Sequence, residues 1–387
     1  MKVGFVTFGC RLNRAEALDL EAQYAAAGWE VVPAKSFGAN PPDRIVVRGC
    51  AVTAKAQRDC EKEIAHLRAR HPAADICITG CLPGATDSKP RLSTFNPRLY
   101  QMSRAYLKVQ DGCSGKCAYC IVPAFRGAPR SEPFGEVLAR ARRFLAAGFR
   151  ELVVTGCNLC LYRDGKRGIA ELVGALAELE SPGHRVRLGS IEPGICDAAL
   201  LDALEAHPNI CRHLHLSLQS GSDRILRLMR RPYSAEQMSA FCSDACKRLG
   251  PRLAFGADLI AGFPGETDAD HNATKEFLAA PFVHLHVFPY SERPGTEAAA
   301  MSPAVPVALR RNRAKELEAI GAANLAAYAG ALVGRDVTVC VERDGKGRTD
   351  EYLRCVLHGS AKRRSLVQAT VQNYFHKSGS ISATIRT

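Results

Sequence analysis

The sequence lacks any stretch that would cross a membrane. Its 387 residues contain no run of about 18 uncharged apolar residues, so we expect no transmembrane helix and no membrane partner. The N-terminus is strand-like and does not have the form of a secretory signal peptide. No internal repeat or low-complexity block occurs, and 47% hydrophobic with 24% charged residues excludes a disordered or collagen-like chain. These absences predict a globular cytoplasmic protein of two or three domains.

Acidic residues are scarce relative to basic ones. The chain has 39 Asp and Glu against 52 Lys and Arg, a net charge of +13. Such a balance suggests a polyanionic partner, most simply a nucleic acid. Residues 301–387 contain 14 Lys or Arg and seven Asp or Glu, so more than half of the excess charge lies in the last quarter of the chain.

Cysteine, in contrast, is abundant. Sixteen cysteines in a chain of this length, without a secretion signal, argue against a disulfide scaffold, which is typical of short secreted proteins. Cytosolic cysteine clusters more often bind metal or carry out redox chemistry.

The first ninety residues alternate between strand and helix patterns. Strands are predicted at 3–8, 45–47 and 76–79, with helices at 14–27 and 53–70, which together indicate a parallel sheet. A Gly-Cys pair follows each strand: Gly9-Cys10, Gly49-Cys50 and Gly80-Cys81. Ligands of parallel sheets bind beyond the carboxyl ends of the strands, so the three thiols are predicted to share a ligand. The alternative is three buried structural thiols.

The remainder of the chain divides into two parts after a linker predicted at residues 83–104. A second strand–helix series follows, with strands at 105–110, 151–155, 185–189, 213–218, 254–260 and 284–289, and it predicts a partial or full barrel. From residue 333 the chain is strand-like, with strands at 337–342, 365–371 and 381–385. A small basic β-barrel that contacts RNA fits this tail, and an ordinary solvated β-domain is the alternative.

The strongest local motif follows the first strand of the second series. Its spacing is C-x3-C-x2-C, formed by Cys113, Cys117 and Cys120. Three closely spaced thiolates suit an iron–sulfur cluster and leave one iron open for a substrate or cofactor. A structural zinc site is the weaker alternative, because it normally needs four ligands and no second cysteine pair lies close by.

These motifs resemble those of the radical S-adenosylmethionine (SAM) methylthiotransferases. The aromatic Tyr119 within the cysteine motif is one element of the resemblance, which extends over essentially the whole chain. The other segments are Ile121-Val122-Pro123, Arg126-Gly127, His213 to Ser222, Leu228-Met229 with Arg231 and Tyr233, Asp258 to Thr267, and Tyr290 to Thr296. Ser190-Ile-Glu-Pro193 and Val154 to Asn158 are most similar to the MtaB-type branch, which acts on N6-threonylcarbamoyladenosine in tRNA.

The resemblance implies an α/β fold with three parts. These are an N-terminal three-cysteine domain over residues 1–90, a partial (β/α)6 radical SAM barrel over 100–328 and a TRAM-like RNA-binding β-barrel over 330–387. It implies two 4Fe-4S clusters, one on Cys113, Cys117 and Cys120 and an auxiliary one on Cys10, Cys50 and Cys81.

The implied reaction inserts a methylthio group at carbon 2 of the modified adenosine at position 37, next to the anticodon. A 5′-deoxyadenosyl radical derived from SAM abstracts hydrogen, the auxiliary cluster provides sulfur, and a second SAM provides the methyl group. The implied partners are tRNA, SAM and an electron donor such as flavodoxin or ferredoxin. The cofactors carry the difficult chemistry, while the protein orients them and excludes water.

Contacts to SAM and RNA are predicted from position. Asn158, Glu192, Ser217 and Gln219 follow or end barrel strands, so they are expected at the cavity mouth as SAM ligands, and Gly262 would let backbone approach the adenine. Local loop hydrogen bonds are the alternative for the four polar residues, and a plain turn for Gly262. The predicted RNA contacts in the tail are Arg335, Lys362, Arg363 and Arg364.

The sequence departs from the family pattern in its N-terminal part. Only 31 residues separate Cys81 from Cys113, Arg48-Gly49 replaces Asn-Thr before Cys50, and Leu82-Pro83-Gly84 follows the third cysteine. All six ligand cysteines are present, so the departures affect the substrate assignment more than the chemistry. The remaining alternatives are another adenosine derivative in tRNA, a ribosomal protein side chain, a non-catalytic iron–sulfur RNA-binding module and a zinc-binding structural protein.

Two further pairs carry weaker signals. Cys157 and Cys160 follow a barrel strand, but their spacing also arises by chance and we favour a structural role. His213 and His215 alternate on one strand and share a face, yet the sequence shows no third ligand beside them, so we do not predict a metal site there.

Overall fold

The computed structural model describes residues 1–38, 41–86, 100, 102–181, 183–192, 194, 198–279 and 282–386. Most of the predicted linker at 83–104, and Pro193 of the Ser190–Pro193 motif, lie outside the described residues. No helix within the described ranges is long and apolar enough to span a membrane.

The N-terminal part is a parallel sheet with helices packed on it. Its elements are β1 (Lys2–Thr7), α1 (Arg11–Ala26), β2 (Glu30–Val32), β3 (Arg44–Cys50), α2 (Ala54–Arg70) and β4 (Asp75–Cys81). The strand order is β2-β1-β3-β4 and every pairing is parallel, as predicted. The three-residue β2 was not predicted, because so short a run carries no periodic signal.

The central part is an open series of parallel strands with helices outside. Its elements are β5 (Ala105–Lys108), β6 (Gln110–Asp111), α3 (Val122–Arg126), β7 (Arg130–Ser131), α4 (Phe134–Ala146), β8 (Glu151–Thr155), α5 (Ile169–Ala177), β9 (Arg185–Leu188), β10 (Ser190–Ile191), α6 (Ala198–Ala206), β11 (His213–Gln219), α7 (Asp223–Leu228), α8 (Ala235–Leu249), β12 (Ala254–Ala261), α9 (Asp268–Phe277), β13 (Phe282–Pro289) and α10 (Val307–Gly330).

Two sheets, β5-β8-β9 and β10-β11-β12-β13, make up this wall. They follow one another through the single residue Gly189, where a side chain would meet the Val154 carbonyl oxygen at 2.9 Å. Within the described residues β5 and β13 do not pair, so the barrel is partial. Inward-facing polar residues of β11 to β13 are therefore reachable from the open side.

The C-terminal part is a closed five-stranded barrel. Its strands are β14 (Asp336–Val341), β15 (Lys346–Thr349), β16 (Arg354–His358), β17 (Leu366–Phe375) and β18 (Ser380–Ile385), in the order β14-β15-β16-β18-β17. The strands β15 and β16 were not predicted from sequence, because charged residues interrupt their short apolar pattern. The predicted α/β class, with a parallel N-terminal sheet, a partial barrel and a small β-barrel, is confirmed.

A buried carboxylate fastens the closed barrel to the central part. Glu151 on β8 accepts hydrogen bonds from Nε of Arg185 at 2.8 Å and from Nε of Arg187 at 2.7 Å. The same guanidinium groups donate to carbonyl oxygens of the C-terminal barrel, including those of Arg348 at 2.7 Å and Thr349 at 2.8 Å. Burial opposes ionisation of Glu151, but the surrounding guanidinium groups hold its pKa well below the usual range.

Tyr352 lies where all three parts meet. Its backbone has a φ of 71°, and its ring stacks on His213 of β11 with centroids 5.1 Å apart. Its hydroxyl accepts a 2.7 Å hydrogen bond from Nη2 of Arg11 on α1. The guanidinium groups that face its ring belong to Arg11, Arg104, Arg187 and Arg348. The left-handed backbone is strained for a tyrosine, and contacts with all three parts hold it in place.

Candidate active site

The three N-terminal cysteines converge at one edge of the first sheet. Cys50 and Cys81 end the neighbouring strands β3 and β4 and are direct register partners, while Cys10 follows β1 and caps α1. Cys50 and Cys81 are buried and Cys10 is exposed. Burial raises the pKa of the Cys81 thiol, Arg126 opposes this, and Cys10 and Cys50 raise it further. The structure thus brings together the three thiols that the sequence predicted to share a ligand.

Glycines allow this convergence. Gly9 has a φ of 87°, and a side chain there would meet Cβ of Cys50 at 2.8 Å. Gly80 has a φ of 88° and lies against the Gly49 carbonyl oxygen, 2.8 Å from where its Cβ would be. Asn13 fixes the same edge, because its amide donates to the carbonyl oxygens of Phe8 at 3.0 Å and Gly49 at 2.8 Å. Gly9 and Gly80 are therefore conformational requirements of this edge of the sheet.

Arg126 connects this edge with the central barrel. From α3, its Nε donates to Sγ of Cys81 at 2.9 Å and its Nη2 donates to Oδ1 of Asn13 at 2.7 Å. Its Nη1 donates to Asp111 at 2.9 Å and to Glu16 at 3.1 Å. Burial acts against the charge, but Glu16 and Cys81 raise the pKa of Arg126 well above its ordinary value. A permanent positive charge therefore lies against the thiol, which favours its thiolate form.

The second cysteine motif forms a loop after β6. The backbone N–H of Cys113 donates to the Gly127 carbonyl oxygen at 3.0 Å, and that of Cys120 donates to the Cys117 carbonyl oxygen at 3.0 Å. Nη1 of Arg231 donates to Sγ of Cys117 at 3.0 Å. Burial raises the pKa of the Cys120 thiol to about 11, and the nearby Cys117 and Cys113 contribute. The loop thus holds three cysteines, and burial disfavours the ionised form of Cys120.

Neither cysteine set has the sulfur spacing of a single zinc site. Three thiolates on one tetrahedral zinc, at Zn–S distances near 2.3 Å, lie about 3.8 Å apart. Among the described residues, only one set of three Cys, His, Asp or Glu ligand atoms lies within 4.8 Å of one another, and it contains no cysteine. In this structure neither cysteine set is as closely grouped as a single zinc ion requires.

Three of the predicted SAM ligands lie together beside the second cysteine loop. The Asn158 amide donates to Glu192, whose other carboxylate oxygen lies 2.6 Å from Nη2 of Arg231. Arg231 also donates to the Ser217 carbonyl oxygen at 3.1 Å. Burial raises the pKa of the Cys113 thiol, Glu192 raises it further, and a hydrogen bond with Asn158 opposes both. A polar cluster thus borders the cysteine loop at the strand ends.

The other two predicted SAM contacts have different surroundings. Gln219 ends β11 with a φ of 67°, in the left-handed region that side chains rarely adopt. Gly262 has a φ of 73°, donates its N–H to Glu266 at 2.9 Å, and lies against Arg310 of α10. A side chain at Gly262 would come within 2.4 Å of Arg310 Cγ, so this glycine is also needed for helix packing.

The pair Cys157 and Cys160 divides between two neighbourhoods. The buried Cys160 Sγ accepts a hydrogen bond from the backbone N–H of Glu192 at 3.4 Å and so helps to fix the position of Glu192. Sγ of Cys157 lies 3.5 Å from Oδ1 of Asp111, the oxygen that also binds Arg126. Within the described residues the pair does not join a third ligand in one metal-sized group.

The four predicted RNA contacts also differ in placement. Arg335 and Lys362 are exposed on the C-terminal barrel. Arg363 donates to Ser103 Oγ at 3.0 Å, and Arg364 donates to the Tyr100 carbonyl oxygen at 2.6 Å while its guanidinium lies 3.8 Å from the Phe149 ring centroid. Arg363 and Arg364 thus make contacts between the two barrels.

The roles of two arginines were not predicted from sequence. Arg126 and Arg231 were noted as motif residues, but their bonds to cysteine sulfur were not anticipated. Both arginines belong to the motif segments, which is the only signal that the sequence offers. The contact between Arg231 and Cys117 spans 114 positions, so the sequence pattern does not predict it.

Comparisons with known proteins agree with this organisation. Residues 107–278 match the radical SAM superfamily and residues 2–97 match the uncharacterized protein family UPF0004. The chain is 31% identical to the threonylcarbamoyladenosine tRNA methylthiotransferase MtaB of Rickettsia prowazekii, over 90% of this chain and 89% of the relative. It is 30% identical to the tRNA-2-methylthio-N(6)-dimethylallyladenosine synthase of Cereibacter sphaeroides, over 92% of each. The radical SAM methyltransferase TsrM from Kitasatospora setae has a similar fold, with a TM-score of 0.57, 15% identity and 77% of each chain covered.

Proposed function

The chain belongs to the radical SAM methylthiotransferase family, and from this we propose that it inserts a methylthio group at C2 of N6-threonylcarbamoyladenosine at position 37 of tRNA. The relative from Rickettsia prowazekii carries a name for this substrate and aligns over nine-tenths of both chains. The observation that carries the proposal is that Arg126 bonds both Cys81 of the first cysteine set and Asp111, which precedes Cys113 of the second set by two residues. Such a pair of sites is what a reaction that combines radical and sulfur chemistry requires.

The family implies SAM and a 4Fe-4S cluster, and the residues present fit them. Cys113, Cys117 and Cys120 would hold the SAM-binding cluster, and we propose that Cys10, Cys50 and Cys81 hold an auxiliary one. When bound, these groups supply radical hydrogen abstraction at C2, sulfur and a methyl group. An external electron donor such as flavodoxin or ferredoxin would reduce the enzyme.

The polar cluster beside the second loop is proposed to orient SAM. Glu192 is buried and held on one side by Asn158 and on the other by Arg231, so its carboxylate cannot swing away. A fixed carboxylate of this kind suits the amino group of the methionine moiety, and Asn158 and Ser217 add polar contacts. We include the Gln219 side chain and the Gly262 backbone as further SAM contacts at the same strand ends, where barrel enzymes place their ligands.

Arg126 and Arg231 have equivalent proposed roles at the two sites. Each donates to a cysteine sulfur, at 2.9 Å for Cys81 and 3.0 Å for Cys117, and each is also held by a carboxylate. Hydrogen bonds to thiolate sulfur tune the affinity and potential of a metal group. The two residues therefore act as positioning residues for the cluster ligands.

The C-terminal barrel is proposed to hold tRNA through exposed basic residues. Arg335 and Lys362 are solvent-exposed and can reach phosphate oxygens. Arg363 and Arg364 would contribute by keeping the barrel against the central part, given their bonds to Ser103 and Tyr100. This division makes the orientation of the barrel as important for RNA binding as its charge.

The substrate has a specific competitor. The relative from Cereibacter sphaeroides aligns over as much of the chain and is named for a dimethylallyladenosine derivative. A ribosomal protein substrate is the third possibility. Mass spectrometry of tRNA nucleosides, from cells that lack the gene and from cells complemented with it, separates these. The proposal expects loss of the 2-methylthio form and accumulation of N6-threonylcarbamoyladenosine. Loss of a methylthiolated dimethylallyladenosine would instead support the competitor, and unchanged tRNA would overturn both.

A further inference from the structure

A cluster of two histidines and one aspartate lies inside the barrel and contains no cysteine. His215 on β11, Asp258 on β12 and His286 on β13 occupy three successive strands, and Asp258 and His286 are direct register partners. His215 pairs with Gly256, two residues before Asp258 and on the same face. A side chain at Gly256 would come within 2.3 Å of His215 Nδ1, so the glycine is what lets the imidazole lie toward Asp258.

The three ligand atoms have the spacing of a mononuclear metal site. Nε2 of His215 lies 3.1 Å from Oδ1 of Asp258, and Nδ1 of His286 lies 3.2 Å from the same oxygen. All three atoms lie within 4.8 Å of one another, and no other such group exists in the part of the chain that the structure describes. Metal–ligand bonds of 2.0–2.2 Å place neighbouring ligand atoms about 2.8–3.6 Å apart, from octahedral to tetrahedral angles. Both measured distances fall in this range.

Hydrogen bonding accounts for only part of this arrangement, because Nδ1 of His286 is hydrogen-bonded to Asp258 at 3.2 Å. Despite its short distance from Asp258, His215 Nε2 has no properly directed hydrogen-bond partner among the described residues. The His215 side chain is only 5% exposed, so water does not readily replace such a partner. A buried nitrogen without a partner is costly unless a ligand completes it. A cation placed between the two rings and the carboxylate would supply it.

The site is accessible from solvent. A cavity of about 410 Å³ between β13, α10 and the C-terminal barrel is lined by His215 and His286, together with Arg348, Tyr352 and Arg354. The side chain of His286 is about half exposed, so an ion can reach it without unfolding. The cavity leaves room for further oxygen ligands, and its two arginines favour an anionic one.

We propose that His215, Asp258 and His286 bind a divalent transition-metal ion. Two imidazole nitrogens and one carboxylate oxygen form the ligand set that zinc and ferrous iron adopt when coordination positions remain open. Water or an anionic oxygen ligand in the cavity would fill those positions. This site is separate from both cysteine sets, and its existence does not depend on which nucleoside the enzyme modifies.

Zinc binding to the reconstituted holoenzyme tests the proposal. The enzyme with both clusters loaded would be dialysed against Zn²⁺ alone, and zinc and iron per chain measured by mass spectrometry. We expect the wild type to retain about one zinc ion per chain and H286A to bind it at least about tenfold more weakly, because a ligand is removed. H358Q, which removes an exposed histidine from β16, is the matched control and should bind zinc as the wild type does.

Iron content separates this site from adventitious binding to cysteine. H286A changes an exposed side chain, so its iron content and melting temperature should equal those of the wild type. D258N provides a second test, because it keeps the shape and removes the anionic ligand. The 4Fe-4S clusters of the oxidised holoenzyme are diamagnetic, so Mn²⁺ can be followed by EPR. The spectrum of free Mn²⁺ should change when the wild-type protein is added and should not change when D258N is added. Equal zinc retention by wild type, H286A and D258N at equal iron content would overturn the proposal.

Discussion

Nε of Arg126 in the central barrel donates a 2.9 Å hydrogen bond to Sγ of Cys81 at the edge of the N-terminal sheet. This bond links helix α3 to the end of strand β4, and the two residues are separated by 45 positions in sequence. Because the same guanidinium also binds Glu16 and Asp111, the interface between the two parts is built around it.

Replacement of Arg126 is expected to weaken this interface. Arg126→Met leaves Glu16 and Asp111 buried with fewer positive partners, which should cost about 3 kcal/mol. The melting temperature and the iron content of the purified protein would both fall. Arg130→Met is the matched control, since Arg130 lies 3.7 Å from Asp111 but its side chain is 46% exposed. Identical melting temperatures for the two variants would contradict the role given to Arg126.

The two cysteine sets are expected to have separable functions. Cys117→Ala should abolish the formation of 5′-deoxyadenosine from SAM. Cys50→Ala should retain this cleavage and lose the methylthiolated product, because it alters only the auxiliary site. Cys246→Ala, on α8, should change neither measurement. Undiminished deoxyadenosine formation by the Cys117 variant would refute the site assignment.

Glu192 is expected to set the affinity for SAM. Glu192→Gln removes the charge that we propose faces the amino group, and the loss of a charged hydrogen bond should raise the KM for SAM by about tenfold. The exposed Glu178→Gln provides the control. An unchanged KM together with a lower kcat would instead assign Glu192 to the positioning of Arg231 and the cysteine loop.

Tyr352 should make stability rise with pH in the alkaline range. Burial opposes its ionisation, but Arg11, Arg104 and Arg348 outweigh this and lower its pKa to about 8. The groups that face the ring are Arg11 of α1, Arg104 before β5, Arg187 of β9, His213 of β11, His284 of β13 and Arg348 of β15.

Between pH 8 and pH 10 the unfolded chain holds a proton on this residue that the folded chain has released. The free energy of unfolding therefore increases over this window by up to about 3 kcal/mol, and the gain disappears as the pH falls through 8. Urea unfolding from pH 7.5 to pH 10 should show this increase in the wild type and not in Tyr352→Phe. If the free energy of unfolding of the two proteins changed with pH in parallel, the pKa of the Tyr352 phenol would not be lowered.

RNA binding should depend on the exposed basic residues of the C-terminal barrel. The double variant R335E/K362E should bind tRNA more weakly and show a shallower dependence on salt, by about 0.9 in log–log slope for each phosphate that the barrel no longer neutralises. K62E on the exposed side of α2 is the matched charge reversal and should leave the slope unchanged. An unaltered slope in the double variant would place the RNA-binding surface elsewhere.

The sequence was informative where local chemistry and topology coincide. Strand ends of a parallel sheet lie at one edge, so Gly9-Cys10, Gly49-Cys50 and Gly80-Cys81 could be assigned to one place without coordinates. The closed barrel could be anticipated from three apolar strands, but β15 and β16 could not. The strand Lys346–Thr349 has no apolar side chain, and Arg354–His358 has only three apolar residues in succession, too few to show a period.

Contacts between residues that are distant in sequence could not be predicted from the sequence. His215 shows only His213 beside it in sequence, whereas its neighbours in space, Asp258 and His286, come from the next two strands. The spacing of 43 and 71 positions depends on how long the intervening helices are, which the sequence pattern does not relate to ligand geometry. The same applies to Arg126 and Cys81, whose contact depends on how two separately folded sheets are docked.

The clamp around Glu151 has a mechanical consequence. Arg185 and Arg187 hold the carboxylate and, with the same guanidinium groups, grip backbone oxygens at Arg348 and Thr349 of the closed barrel. These bonds thus fix the orientation of that barrel relative to the central part. An RNA bound to it would lie at a fixed distance from the cysteine loops, so this distance would select which nucleotide of the RNA reaches the site.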